Sequence, residues 1–222
     1  SDVCSSDLVT PPDTTTAGAW YEKDGMIIVE AEDTDSDLGE WVRYTSADNP
    51  YTFATGWNGD GYIFFTGNSN PGGPVNSELR YKLFVNNPGT YRLHLRGMET
   101  GLDGAAGDET NDCYVKMTGQ STNDCEGVFT KWVLLGSPKE WSWNTTLECG
   151  HHNFVNTNYE LDAGVHEFWI AGRSKNFIVD RFMIHDVSLD PTAYYLYPQS
   201  QRIKEDGTLT DGAIFAVIIP GV

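Results

Sequence analysis

The chain has 222 residues, enough for one sizeable core, and a formal net charge of −18. That acidic balance lacks the basic footprint that nucleic acid or an anionic membrane surface requires, so neither is expected as a partner. Gly and Pro are frequent, with 23 and 10 copies, and short alternating segments replace helical periodicity, which points to an all-β sandwich or barrel.

Residues 1–8 (Ser-Asp-Val-Cys-Ser-Ser-Asp-Leu) look like translated sequencing adapter and are set aside, with Asp2, Cys4 and Asp7. The true amino terminus is therefore expected to be missing. Residues 9–18, rich in Thr and Pro, read as a linker. A first strand covers 26–32, where Glu30 and Glu32 sit two apart and so share a side. The turn Trp57, Asn58, Gly59, Asp60 leads into a strand at 61–65 that begins with Gly61 and Tyr62. Residues 79–85 place Leu79, Tyr81, Leu83 and Val85 on one side. The turn at 86–89 predicts a hairpin into 91–96, with Tyr91, Leu93 and Leu95 inward. Arg80, Lys82, Arg92, His94 and Arg96 then face outward, and Lys116 joins them. Arg suits bidentate contact with carboxylate or sulfate, so Arg92 and Arg96 are candidate contacts for an anionic glycan, with a salt-bridged solvated face as the alternative.

Residues 99–110 form a Gly- and Asp-rich loop with Asp103, Asp108 and Glu109. Strand 113–117 turns Cys113 to the same side as Val115 and Met117, which buries the thiol. A further strand is expected at 131–135. Trp141 and Trp143 flank Ser142, share a side if extended, and adjoin a polar loop through His151 and His152. Residues 159–171 read as strand, turn and strand, with Trp169 as packing between Phe168 and Ile170. The last strand runs from Asn176 to His185. Asp180 interrupts its apolar run, where a charge needs a partner. If the first and last strands are neighbours, Glu30, Glu32 and Asp180 converge as hard oxygen ligands of the kind calcium takes. The apolar run 213–219 is too short to span a bilayer. It reads as the start of a following domain or as a strand completing the same sandwich.

With the adapter set aside, three cysteines remain, and no CxxC spacing suggests zinc. Cys125 with Cys149, or Cys113 with Cys125, are the open disulfide pairings. No triad elbow, phosphate loop or zincin spacing is present, and no acid–base pair stands out from the many carboxylates, so the chain is expected not to be an enzyme.

The E-A-E opening at Glu30, Ala31 and Glu32 and the N-F-x-x-D-x-F close at Asn176, Phe177, Asp180 and Phe182 resemble carbohydrate-binding modules of families six and thirty-five and the related malectin-type domains. The resemblance implies a jelly-roll β-sandwich of two antiparallel sheets over residues 19–190, with irregular tails at 1–18 and 191–222. It implies a structural Ca2+ held by Glu30, Glu32 and Asp180, and a sugar-bonding Asn176 at the loop end. Stacking platforms are expected at Trp57, Tyr62, Trp141 and Trp143, because pyranose C–H faces pack on aromatic rings. The function so implied is non-catalytic binding of a polysaccharide or glycan, with an anionic chain as one class. The setting implied is a larger secreted or cell-surface protein whose other domains are further partners. A structural or adhesion domain without a sugar site, or a fragment of a polysaccharide-degrading enzyme, are the alternatives.

Overall fold

A computed structural model describes residues 15–68, 73–106, 109–118, 120–121 and 128–211. The adapter-like octapeptide, Asp108, Cys125 and the apolar run 213–219 lie outside the described residues. In chain order the strands are β1 (Trp20–Tyr21), β2 (Met26–Glu30), β3 (Trp41–Thr45), β4 (Gly61–Phe65), β5 (Asn76–Val85), β6 (Gly89–Met98), β7 (Asp112–Met117) and β8 (Gln120–Ser121). They continue with β9 (Thr130–Val133), β10 (Ser142–Asn144), β11 (Thr146–Glu148), β12 (Phe154–Asn156), β13 (Asn158–Leu161), β14 (Gly164–Gly172) and β15 (Ile178–Asp186).

These strands build a β-sandwich. The first sheet has the order β1-β5-β14-β7-β9-β11-β12. The second has the order β3-β4-β15-β6-β13-β8, with β2 also beside β15 and β10 beside β6. Apart from the parallel β1–β5 contact, the pairings are antiparallel. Alternation explains the core between the sheets. Leu79, Tyr81, Leu83 and Val85 meet Phe168, Ile170, Val115 and Trp132 on one side. Tyr91, Leu93, Leu95, Phe182, Ile184 and Val29 close it from the other. Cys113 is a free, fully buried thiol, as its alternation predicts. Cys149 is disulfide-bonded, and the free thiol of Cys113 removes the pairing of Cys113 with Cys125.

One expectation fails instructively. Residues 79–85 and 91–96 do not form a hairpin, because β5 lies in the first sheet and β6 in the second. The turn between them is an arch across the sandwich end. Glu22, fully buried, secures it by accepting from the backbone N–H groups of Asn86 at 2.8 Å and Asn87 at 3.0 Å. Both strands still bury one side, since the core lies between them, so the period-2 pattern is the same for a hairpin and an arch. The six basic residues consequently divide. Arg80, Lys82 and Lys116 belong to the first sheet, and Arg92, His94 and Arg96 to the second, so they do not share an outer face.

The segment from Pro191 to Thr210 stays on the sandwich. Ser200 exchanges bonds with the free edge of β2, donating to the Ile28 carbonyl at 2.8 Å and accepting from the Ile28 N–H at 2.9 Å. Gly18 and Ala19 pair with Ile203 in the same manner.

Candidate functional site

β2 pairs with β15 in the register Arg181↔Glu30 and Phe182↔Val29, so the opening and closing motifs are neighbours in the second sheet. The β15–β6 register shifts between Val179 and Arg181, a bulge at Asp180. The extra residue lets consecutive side chains serve opposite neighbours. Arg181 forms a two-pronged pair with Glu30 on β2, while Asp180 pairs with Arg96 on β6. Asp180 also accepts from the Asn58 backbone N–H at 3.0 Å and from the Asn58 side chain at 3.1 Å. Gly59 permits that approach. It has φ +62°, and a Cβ there would lie 2.7 Å from the Glu30 carboxyl carbon.

Glu32 differs from its two companions. It lies beyond the end of β2, and both of its carboxylate oxygens are buried with no hydrogen-bond partner among the described residues. Burial pushes its carboxyl up to about 8, opposed by its own backbone N–H and aided by the neighbouring charges of Glu30, Asp180 and Asp33. Burial also raises Glu30 and Asp180, against the lowering influence of Arg181 and Arg96 respectively. The three carboxylates therefore do gather within reach of one another's charge. Only Glu32 is left open to a cation, since guanidinium groups hold the other two. Among the described residues no group of three or more His, Cys, Asp or Glu side chains is arranged to hold a metal.

The outer face of the second sheet is largely filled. Tyr62 is fully buried, and its hydroxyl bonds Asn49 at 2.6 Å, so its ring packs rather than offering a stacking surface. Half-buried Trp57 leans on it at 5.3 Å. Arg96 lies under Trp141, its guanidinium 4.9 Å from the ring, and donates to the Gly56 carbonyl at 3.1 Å. Arg92 bonds Asn158 at 2.8 Å. Trp143, opposite Arg96, has one ring face covered by Tyr195, stacked at 4.5 Å. Of the predicted platform residues, Trp57, Trp141 and Trp143 remain half-buried.

A second gathering of groups occupies the loop end of the sandwich. Asn176 has φ +69°, is nearly buried, and donates its side-chain N–H to the exposed carboxylate of Asp103 at 3.0 Å. The Lys175 ammonium stands 3.5 Å from the same carboxylate. The Asp103 charge is felt by Tyr51, whose hydroxyl is raised first by burial, then by Tyr44 and Asp103. Tyr51 stacks on Phe64 at 4.9 Å and adjoins Phe53 at 5.4 Å, and the Lys139 ammonium lies 5.5 Å from the Phe53 ring. Trp141 borders the group, its indole N–H donating to the Thr55 carbonyl at 2.7 Å. Half-exposed rings thus stand beside an amide, a carboxylate and two ammonium groups. That combination suits a pyranose, which offers a C–H face for stacking and hydroxyls for hydrogen bonds. Tyr51 and Phe53 are absent from the sequence candidates. Their spacing around Thr52 in a polar loop is the signal that singled out Trp141 and Trp143.

No family model matches the chain. The uncharacterized protein P23 of Formosa agariphila is 28% identical over an alignment 197 positions long that covers 74% of this chain and 45% of that protein. The chain spans less than half the length of this curated relative. Among solved structures, the Podospora anserina GH26-CBM35 β-(1,4)-mannanase is similar with a TM-score of 0.50 and 14% identity, over 76% of this chain and 29% of that one. The CBM35 from Paenibacillus barcinonensis is similar with a TM-score of 0.43 and 19% identity, over 71% of this chain and 96% of its own. The likeness to the mannanase structure, at 14% identity, is one of fold.

Proposed function

We propose that the protein binds a polysaccharide without catalysis, through the loop end of its sandwich. The observation that carries this reading is one cluster of half-buried rings, Tyr51, Phe53 and Trp141, in which Tyr51 stands near enough to feel the charge of Asp103, the acceptor of Asn176. The rings supply contact area, and the polar groups fix orientation. The outer face of the second sheet is the less suitable surface, because Tyr62 is buried and Tyr195 covers Trp143. In this reading Arg92 and Arg96 are structural, held by Asn158 and by Asp180 respectively.

Calcium belongs to the same proposal. The support for it is Glu32, a buried carboxylate beside the acids Glu30 and Asp180 whose oxygens have no hydrogen-bond partner among the described residues. An ion bound there would remove the need for Glu32 to hold a proton, and backbone carbonyls would complete its oxygen set. Chelation of calcium-loaded protein tests this through the melting temperature. We further propose an extracellular setting, secreted or on a cell surface, within a longer protein whose other domains act on or display the bound polymer. No helix among the described residues is long and apolar enough to cross a membrane.

Affinity electrophoresis against a panel of neutral and acidic polysaccharides tests the binding itself. Retardation by at least one polymer is expected. Tyr51→Ala and Trp141→Ala should each weaken it about tenfold, the loss of roughly 1–1.5 kcal/mol of ring contact. Retardation by no polymer, or equal retardation of wild type and both variants, overturns the loop-end reading.

A further inference from the structure

Beneath the segment that follows Pro191, the second sheet gathers two histidines and two methionines that neither the loop end nor the acid cluster uses. On β15, Phe182 and Ile184 point into the core, so Met183 and His185 point the other way. Alternation turns Met26 and Ile28 of β2 and His94 of β6 to that same side. The register then sets soft donors next to one another. Met183 stands directly opposite His94, and His185 directly opposite Met26. Such opposed residues hold their β-carbons about 5 Å apart. His94 and His185 are diagonal neighbours whose rings lie 4.9 Å apart. None of the four residues is more than 8% exposed. Trp143, Tyr194 and Tyr195 pack over Met26, Ile28 and Met183 and close the patch from outside.

The imidazoles are set up as ligands rather than as hydrogen-bond pairs. The Nδ1 of His185 faces the Asp186 carbonyl at 2.7 Å. A carbonyl only accepts, so Nδ1 carries the proton and Nε2 is a bare lone pair. That Nε2 is buried with no hydrogen-bond partner among the described residues. An orphaned buried acceptor costs stability until something occupies it. His94 turns Nδ1 to the Tyr195 hydroxyl at 3.4 Å, and with the proton on that nitrogen its Nε2 is free for a ligand as well. Burial lowers the proton affinity of both rings, so protons do not block these lone pairs at neutral pH.

We propose that His94, His185 and Met183 bind one copper(I) ion, with Met26 beyond His185 as a further thioether. Imidazole with thioether is a donor set for soft metal ions, and thioethers select copper(I). Two histidines alone fall short of a metal site, and Met183, beside both of them, supplies the third donor. The charges around the patch largely cancel. Arg92 stands opposite His185, and Asp186 follows it. Arg181 and Glu30 are paired with each other. A divalent ion would stay uncompensated among these apolar side chains, whereas a single charge is less costly to bury. The inference depends on neither the loop-end site nor calcium, because its donors are nitrogen and sulfur rather than oxygen.

The test is an anaerobic titration of the whole chain with copper(I), kept reduced by ascorbate, against the chromophoric chelator bicinchoninate. The proteins are wild type, Met183→Leu, His94→Asn, and two controls that alter the other donors copper(I) favours. These are Cys113→Ala and the double variant His151→Ala/His152→Ala. Wild type should withdraw one equivalent of copper(I), and loading should raise its melting temperature. Met183→Leu and His94→Asn should each weaken uptake by at least about tenfold, while both controls match wild type. Leucine conserves the volume of methionine, so metal-free Met183→Leu should melt close to wild type, and its loss of copper then reports a lost ligand. Zinc(II) in excess should leave the uptake unchanged. No withdrawal of copper(I) by wild type, or withdrawal indifferent to Met183→Leu, overturns the proposal. So does uptake abolished in either control, or copper(I) displaced by zinc(II).

Discussion

His94 and His185 lie 4.9 Å apart, ring to ring, on neighbouring strands of the second sheet, and both are nearly buried. The Tyr195 hydroxyl stands 3.4 Å from one ring nitrogen of His94. His185 directs one nitrogen to the Asp186 carbonyl at 2.7 Å and leaves the other buried without a partner among the described residues. Burial, then the charges of His185 and Arg92, lower His94 to about 4. Burial likewise lowers His185, partly opposed by Asp186. Both rings are therefore neutral in the folded protein. Their contribution is complete above the unfolded value near 6.5 and is lost as the pH falls toward 4, because only the unfolded chain gains the proton. We predict that urea unfolding shows His94 alone withdrawing on the order of 3 kcal/mol across that window. His94→Asn should flatten the slope, and equal slopes in the two proteins would dismiss the account. Residue chemistry was only partly legible in the sequence. A charge at Asp180 inside an apolar run demands a partner, and it has one in Arg96. Nothing in the spacing of Glu30 and Arg181 announces that they bond across 151 positions.

At the scale of elements, alternation identifies strands but not their sheet. β5 and β6 show clean inward–outward patterns and lie in opposite sheets, because an arch over a shared core exposes and buries the same residues as a hairpin. β3 is hard to see in advance, since Trp41–Thr45 is a short stretch set among turn-forming and acidic residues. The segment after Pro191 is similar. It reads as an irregular tail, yet Tyr195 covers Trp143, the Tyr195 and Tyr197 carbonyls face Arg181, and Ser200 caps the edge of β2. An exposed edge invites pairing with another chain, and the strap blocks it. Tyr195→Ala removes the stack on Trp143 and the contact with His94. It should cost about 1–2 kcal/mol, read as a lower melting temperature, and should raise quenching of tryptophan fluorescence by iodide. Neither change appearing would mean that the strap adds nothing to the fold.

For the molecule as a whole, the strand that opens the sandwich lies beside the strand that closes it, and the buried acids sit at that seam. A calcium ion there would join the two ends of the fold and stabilise it globally. At calcium a hundredfold above its dissociation constant the gain is roughly 2.7 kcal/mol, so chelation should lower the melting temperature by about 5–10 °C. Protein shown to be calcium-loaded that melts unchanged in chelator would remove the ion from the account. The sequence by itself determined the all-β class of fold, the burial of Cys113, the inward side of nearly every long strand and the need of Asp180 for a partner. These follow from local alternation and from the cost of burying charge. Only the tertiary structure decided which strands share a sheet, that Glu32 of the three clustered acids lacks a hydrogen-bond partner among the described residues, that Tyr51 comes near Asp103 and so Asn176, and that Trp169 faces outward. Each of those depends on contacts between residues far apart in the chain, and the energy of such a contact leaves no trace in the pattern on either side of it.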